Sequence, residues 1–157
     1  MLLEPNPTNQ CFGCGGANSR GMQLTFEQDE AARRIRGTFR VSAEYQGGSG
    51  FVHGGIIATL LDEVMGKANR FRGVQAVTAE LTVEYLKPVP VDVDLVVEGW
   101  EIEVKGRNLY HAGEIRDATG ALLARGHGRF VAVDAAWFRL AGKTSEPGAD
   151  GPQRQRA

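Results

Sequence analysis

The chain of 157 residues is poor in cysteine, holding only Cys11 and Cys14. A disulfide framework is excluded, so stability must come from an apolar core, and the length is enough for one sizeable core in one domain. Charge of one sign is also lacking: 18 Lys and Arg face 19 Asp and Glu, a net charge of −1. Nothing in that balance suggests a nucleic-acid or strongly anionic partner. No apolar run approaches the roughly 20 residues of a membrane span, so no membrane partner is expected. The start, Met-Leu-Leu-Glu-Pro-Asn-Pro, lacks a basic region followed by an apolar one; no signal peptide, a cytoplasmic location and reduced thiols are the expectation. There is no Gly-x-Ser-x-Gly nucleophile elbow, which argues against serine-triad hydrolysis. Internal repeats are absent.

A second cysteine pair is missing as well. Cys11-Phe-Gly-Cys14-Gly is one half of a zinc knuckle, but a structural zinc normally takes four ligands. The pair therefore reads as a turn with small thiols, with no metal and no cofactor. A site completed by a symmetry mate or a distant histidine is the alternative.

What is present centres on His53-Gly54-Gly55-Ile-Ile-Ala-Thr-Leu-Leu-Asp62-Glu63. Ile56, Ile57, Leu60, Leu61, Val64, Met65, Ala68 and Phe71 recur at three- and four-residue steps, which predicts a helix running to about Phe71. Its first turns are apolar nearly all round, so other structure should enclose it. Asp62 and Glu63 are out of character there: a carboxylate in low-dielectric surroundings must be paired, solvated by a cleft, or used. Gly54 and Gly55 let a ligand approach free N–H groups at the positive helix end. Asp62 lies about 12 Å further along. A carbonyl held at the helix start, with a base further down one groove, is the layout acyl transfer requires. Glu63 points about 100° away from its neighbour and reads as facing an interface or solvent. His53 is a general base by residue type, or a brace for the helix start.

Around this helix the chain reads as strands. Met22 to Gln28 alternates, Arg33 to Val41 returns, and a glycine-laden loop, 42–50, leads into the helix; Arg70, Arg72 and Gly73 close it. Val77 to Tyr85 alternates next. A run from Val91 slips phase across Glu98-Gly99, which suggests a β-bulge there. Leu109 to Arg116 and Leu122 to Val133 follow, with His111 and His127 read as satisfied structural histidines. Such strands are two-faced and must pack on the single helix, giving an α+β fold. Residues 1–21 form an extended segment with the cysteine turn, 22–134 the domain, and 135–157 a tail. Trp137 and Phe138 could pack locally, and disorder is expected after 142.

The order strand, glycine loop, His-Gly-Gly-x-x-x-x-Leu-x-Asp helix, then Thr78-Ala-Glu-Leu-Thr-Val-Glu-Tyr85-Leu-x-Pro88 resembles the hotdog-fold acyl-CoA thioesterases, PaaI-like branch. The opening Cys-Phe-Gly-Cys-Gly-x-x-Asn18-x-x-Gly21-Met22 is similar to the start of many such proteins, and the likeness covers roughly residues 10 to 133. The resemblance implies one long central helix wrapped by a five- to six-stranded antiparallel sheet, and hydrolysis of an acyl-CoA thioester. It puts the catalytic carboxylate on Asp62, the oxyanion-hole N–H on Gly54, the family histidine on His53 and a strand hydroxyl on Thr78. Relatives carry an Asn where this chain has Gly47; Gln46 beside it is the candidate substitute. Gly55 and Glu63 complete the substrate-binding set. Arg70, Arg72, Lys87, Arg107 and Arg129 are candidates for the coenzyme A phosphates. Relatives build the site between two subunits, as dimers or dimers of dimers. Asp62 as general base or as nucleophile both stay open. A non-catalytic acyl-CoA-binding module is the alternative, with the missing Asn in its favour; a hydratase is disfavoured by the spacing of the helix motif.

Overall fold

In a computed structural model that describes residues 1–143, the buried stripe of helix α1, Gly54–Ala68, is Ile57, Leu60, Leu61, Val64, Met65 and Ala68. These are the three- and four-residue steps of the sequence pattern, and they place one face of the helix against a sheet. His53 caps the helix start, its Nδ1 accepting from the Gly55 N–H. A single 3-10 turn, Asn69–Arg72, carries the chain past Ala68, and Gly73 stops it with φ 64°, a left-handed conformation glycine adopts freely.

The strands are β1 (Leu2–Leu3), β2 (Phe26–Asp29), β3 (Arg34–Arg40), β4 (Gln75–Tyr85), β5 (Asp94–Lys105), β6 (Asn108–Asp117) and β7 (Leu122–Val133). They form one antiparallel sheet in the order β1-β2-β3-β5-β6-β7-β4. This is the hotdog arrangement, with seven strands rather than five or six; the extra one is the short β1, from the stretch read only as extended. A second helix, α2 (Ala135–Lys143), occupies the start of the segment read as a tail; the remainder of that tail lies outside the described residues. No helix among the described residues is long and apolar enough to cross a membrane.

Three strand expectations are corrected by backbone pairing. The strand expected from Met22 begins only at Phe26. Upstream of it, the Met22 and Leu24 N–H groups are bonded to Phe12 O and Gly13 O of the cysteine turn, both at 2.8 Å. The bulge expected at Glu98-Gly99 lies instead between Glu101 and Glu103. Gly99 continues the buried row of Leu95 and Val97, which a glycine hides from an apolar count. Trp100 turns outward, where the Arg34 guanidinium lies 4.1 Å from its ring centre. A further bulge interrupts β4. Thr78 pairs with Phe130 but Glu80 with Arg129, leaving Ala79 as the extra residue. Alternation alone puts Thr78 on the row opposite Leu81, Val83 and Tyr85. The bulge moves it onto their row, since their partners Gly128, Gly126 and Ala124 are buried with Phe130.

Glycine lets the helix lie close. A Cβ at Gly99 would stand 2.9 Å from Val64 O, and one at Gly113 would stand 3.2 Å from Met65 Cγ. Between these rows His111 is buried, its Nδ1 2.7 Å from Met65 O and its ring stacked on Phe130 at 5.1 Å. The bond to a carbonyl makes Nδ1 the donor and leaves Nε2 bare, with no partner. His127, expected to be a similar structural histidine, is exposed because it falls on the other row of β7.

Gly99→Ala should cost about 1–3 kcal/mol, because helix backbone rather than a flexible side chain must give way. Chemical denaturation measures it, and an unchanged midpoint would show the helix free to shift. Burial holds His111 below its ordinary value of 6.5. With the folded value below the unfolded one, its stability contribution is complete above the unfolded value and lost as pH falls towards the folded one. Thermal unfolding should therefore weaken more steeply between about pH 7 and about pH 5 in the wild type than in His111→Asn. Parallel profiles for the two would contradict this.

Candidate active site

Asp62 and Thr78 meet. Asp62 sits half-buried on the outer flank of α1, and Thr78 Oγ1 donates to its Oδ1 at 2.8 Å. The β4 bulge makes this bond possible by turning Thr78 towards the helix. Burial raises the Asp62 carboxyl above its ordinary value, the Thr78 hydroxyl pulls it back in part, and the Glu63 charge pushes it further up. A carboxylate so disposed is a better proton acceptor than an exposed one. It lines a groove of about 210 Å³ together with Glu63, Gly66, Lys67, Ala76, Thr78 and Phe130. Larger hollows lie elsewhere on the surface, one between β2 and β3 with Arg34 and Glu98, another beside Asn69 and Arg70. Neither contains a carboxylate set at a helix flank with a hydroxyl on it.

The helix mouth is a separate place. Gly54 N–H, the first of the helix, has no hydrogen-bond partner among the described residues. Gly55 N–H is already taken by His53 Nδ1 at 2.9 Å, so only Gly54 offers a free donor there. That bond also makes His53 Nδ1 an acceptor, which fits the brace role better than a base acting through that nitrogen. Tyr85, at the far end of β4, donates its hydroxyl to Gly54 O at 2.9 Å and covers the glycine. Sequence reading missed Tyr85 as a neighbour of the helix mouth, because its row in β4 suggested core; its side chain is in fact exposed.

Gln46 Oε1 accepts from Gly50 N–H at 3.1 Å and braces the loop. Gly47 N–H goes to Phe51 O at 2.9 Å in the same loop. Glu63 borders the groove at one side and is largely covered by the N-terminal turn at the other. Cys11 Sγ donates to its Oε1 at 3.2 Å, and Lys67 Nζ stands 4.0 Å from Oε2. The chain thus brings Asp62, Glu63 and Thr78 together, and His53, Gly54 and Gly55 together, with Gln46 in the loop beside His53 and hydrogen-bonded to Gly50. Of the basic candidates, Arg72 is bonded to Glu101 and Arg129 lies 3.8 Å from Glu80.

Residues 49–124 match the family profile described as "Thioesterase superfamily". The acyl-coenzyme A thioesterase THEM4 of Rattus norvegicus is 34% identical over 90 residues, 57% of this chain and 39% of that protein. The chain spans about half or less of the curated relatives it matches, 39–52% of their length. A solved thioesterase superfamily protein superposes with a TM-score of 0.73 at 35% identity, covering 78% of this chain and 60% of that one. The E. coli PaaI protein from the phenylacetic acid degradation operon shares the fold with a TM-score of 0.61 at 20% identity, over 65% of this chain and 74% of that one. By its sheet order and these superpositions the chain has the hotdog fold, and over residues 49–124 it is similar to the thioesterase superfamily.

Proposed function

We propose that the chain hydrolyses acyl-CoA thioesters to the free acid and coenzyme A. The observation that carries this is the half-buried Asp62 carboxylate, held by Thr78 on a groove of the same helix whose first N–H is free. The thioester carbonyl binds at Gly54 N–H, where the helix dipole adds to the hydrogen bond as negative charge develops on oxygen. A lost oxyanion donor typically costs about 3–4 kcal/mol of transition-state stabilisation. Asp62 takes a proton from the attacking water, or attacks the carbonyl itself to form an anhydride that water opens. Thr78 fixes the carboxylate rotamer in either case. The name carried by the THEM4 relatives supports the same chemistry.

The two halves of this site come from different copies of the chain. Gly54 and Asp62 are about 12 Å apart along one helix. A carbonyl hydrogen-bonded to one donor and attacked through one water spans only about 7 Å. One thioester therefore meets both groups when Gly54 of one copy faces Asp62 of a second. A groove of 210 Å³ is smaller than ordinary ligand pockets of about 300–1,000 Å³, which fits half a site. The outer edge of β4, eleven residues long, is unpaired among the described residues and offers the seam for a dimer or a dimer of dimers. Two free thiols suit the reducing cytoplasm.

A second reading, an acyl-CoA binder that does not cleave, is favoured by one observation: the Oε1 of Gln46, the loop amide that could place a water, already accepts from Gly50 N–H.

Asp62→Asn should lower turnover by about 10²–10⁴-fold while acyl-CoA affinity stays within a few fold, read by free-thiol release and equilibrium binding. Undiminished hydrolysis would remove Asp62 from the chemistry. A wild type that binds acyl-CoA and leaves the thioester intact would establish the binder instead. Light scattering should give twice or four times the mass of the chain. A monomer with full hydrolytic activity would refute the shared site.

A further inference from the structure

The proposed reaction leaves the N-terminal segment unused, yet that segment is fastened to α1 by sulfur. Its Cys-x-x-Cys turn is set by hydrogen bonds on both sides. Gly15 N–H goes to Cys11 O at 2.9 Å, Cys11 N–H goes to Asn9 Oδ1 at 2.8 Å, and the carbonyls of Phe12 and Gly13 hold Met22 and Leu24. So fixed, the turn aims both thiols at the helix. Cys11 Sγ meets Glu63 Oε1 at 3.2 Å, and Lys67 Nζ meets Cys14 Sγ at 2.9 Å. The turn is pressed onto the carboxylate: a Cβ at Gly13 would stand within 2.5 Å of Glu63 Cγ and Cδ, so a larger residue there would displace the Glu63 side chain.

Cys11, Cys14 and Glu63 each offer a ligand atom, and these atoms lie within 4.8 Å of one another. It is the one such group of His, Cys, Asp or Glu among the described residues. Around a tetrahedral zinc ion, a sulfur and an oxygen ligand stand about 3.5 Å apart, close to the 3.2 Å between Cys11 and Glu63. Two soft sulfurs with one carboxylate select zinc over magnesium or calcium, which take oxygen ligands alone. Two thiolates and a carboxylate leave one negative charge on a divalent ion, and the Lys67 ammonium beside Cys14 and Glu63 balances it. The sequence shows two ligands of a knuckle and no third; the fold supplies the third from 52 residues away.

We propose that Cys11, Cys14 and Glu63 form a binding site for a thiophilic divalent cation, zinc, that pins the N-terminal segment to α1 one residue from Asp62. Three protein ligands leave the fourth position to solvent, as in exchangeable zinc sites rather than closed structural ones. The metal readouts do not depend on the proposed hydrolysis, although Glu63 also borders the Asp62 groove.

The test uses the full reduced chain loaded with zinc chloride or cobalt chloride and freed of excess metal by gel filtration. Expected are stoichiometric zinc by elemental analysis, a sulfur-to-cobalt charge-transfer band in the cobalt form, and a higher Tm with zinc than without. Cys11→Ser and Cys14→Ser should each lose the metal. Glu63→Gln should keep a weakened thiolate band and lose zinc first to a competing chelator. Alkylation of the native wild type needs no variant: zinc should suppress the reaction of Cys11, the more exposed of the two thiols. Failure of zinc to protect Cys11, absence of the cobalt band, or equal zinc retention in the Cys11→Ser/Cys14→Ser double variant would overturn the site and show a turn held by hydrogen bonds alone.

Discussion

The closeness of α1 to the sheet governs the rest of the structure. Packing one helix onto a sheet usually leaves side chains on both surfaces to set the spacing. Here the sheet presents Gly99, Gly113 and Gly126 under Val64, Leu61 and Met65, so helix side chains rest nearly on strand backbone. The core seals tightly around that contact, with Leu60, Leu61, Val64 and Met65 all fully buried. A helix locked in this way cannot rotate. The residues on its flank, Asp62 and Glu63, are held at fixed places relative to β4 and to the N-terminal turn. Precision in a carboxylate's position thus comes from glycines on strands some distance from it.

Much of this was legible in the sequence because it depends on periodicity. The α1 stripe and the strands β3 to β7 follow from steps of three and four or of two, and the stop at Gly73 follows from glycine's tolerance of positive φ. What escaped were the places where a residue of the wrong type continues a pattern. Gly99 holds a buried position in β5, and counting it as a break moved the bulge three residues too early. Ala79 is the opposite case: an apolar residue that fits the alternation is the one the ladder leaves unpaired. Side-chain type carries no mark of either event, because a bulge is decided by what the neighbouring strand pairs with.

The site was legible to the same degree. Asp62 stands out as a carboxylate among apolar neighbours, and His53 with its two glycines marks a helix start; both are local facts. The Thr78 bond to Asp62 depends on the β4 bulge, Tyr85 reaches Gly54 from the far end of that strand, and the contact of Glu63 with Cys11 joins segments 52 residues apart. Tertiary pairings of this kind have no period. A resemblance to a family can name Asp62 and Thr78, but it does not say that Gln46 turns back onto its own loop.

The distance along α1 also constrains what the fold can do as a single copy. A helix N-terminus stabilises negative charge only within its first turn, and a carboxylate acts as a base only within hydrogen-bond reach. With about 12 Å between Gly54 and Asp62, no rearrangement short of unwinding the helix brings both to one carbonyl. The close packing of α1 on the sheet glycines opposes such unwinding. In the proposed reaction, a rigid helix that separates donor from base would make assembly part of the chemistry, two copies set antiparallel bringing each mouth opposite the other's carboxylate. On that view the free edge of β4, which carries both Thr78 and Tyr85, is where catalysis and association are coupled.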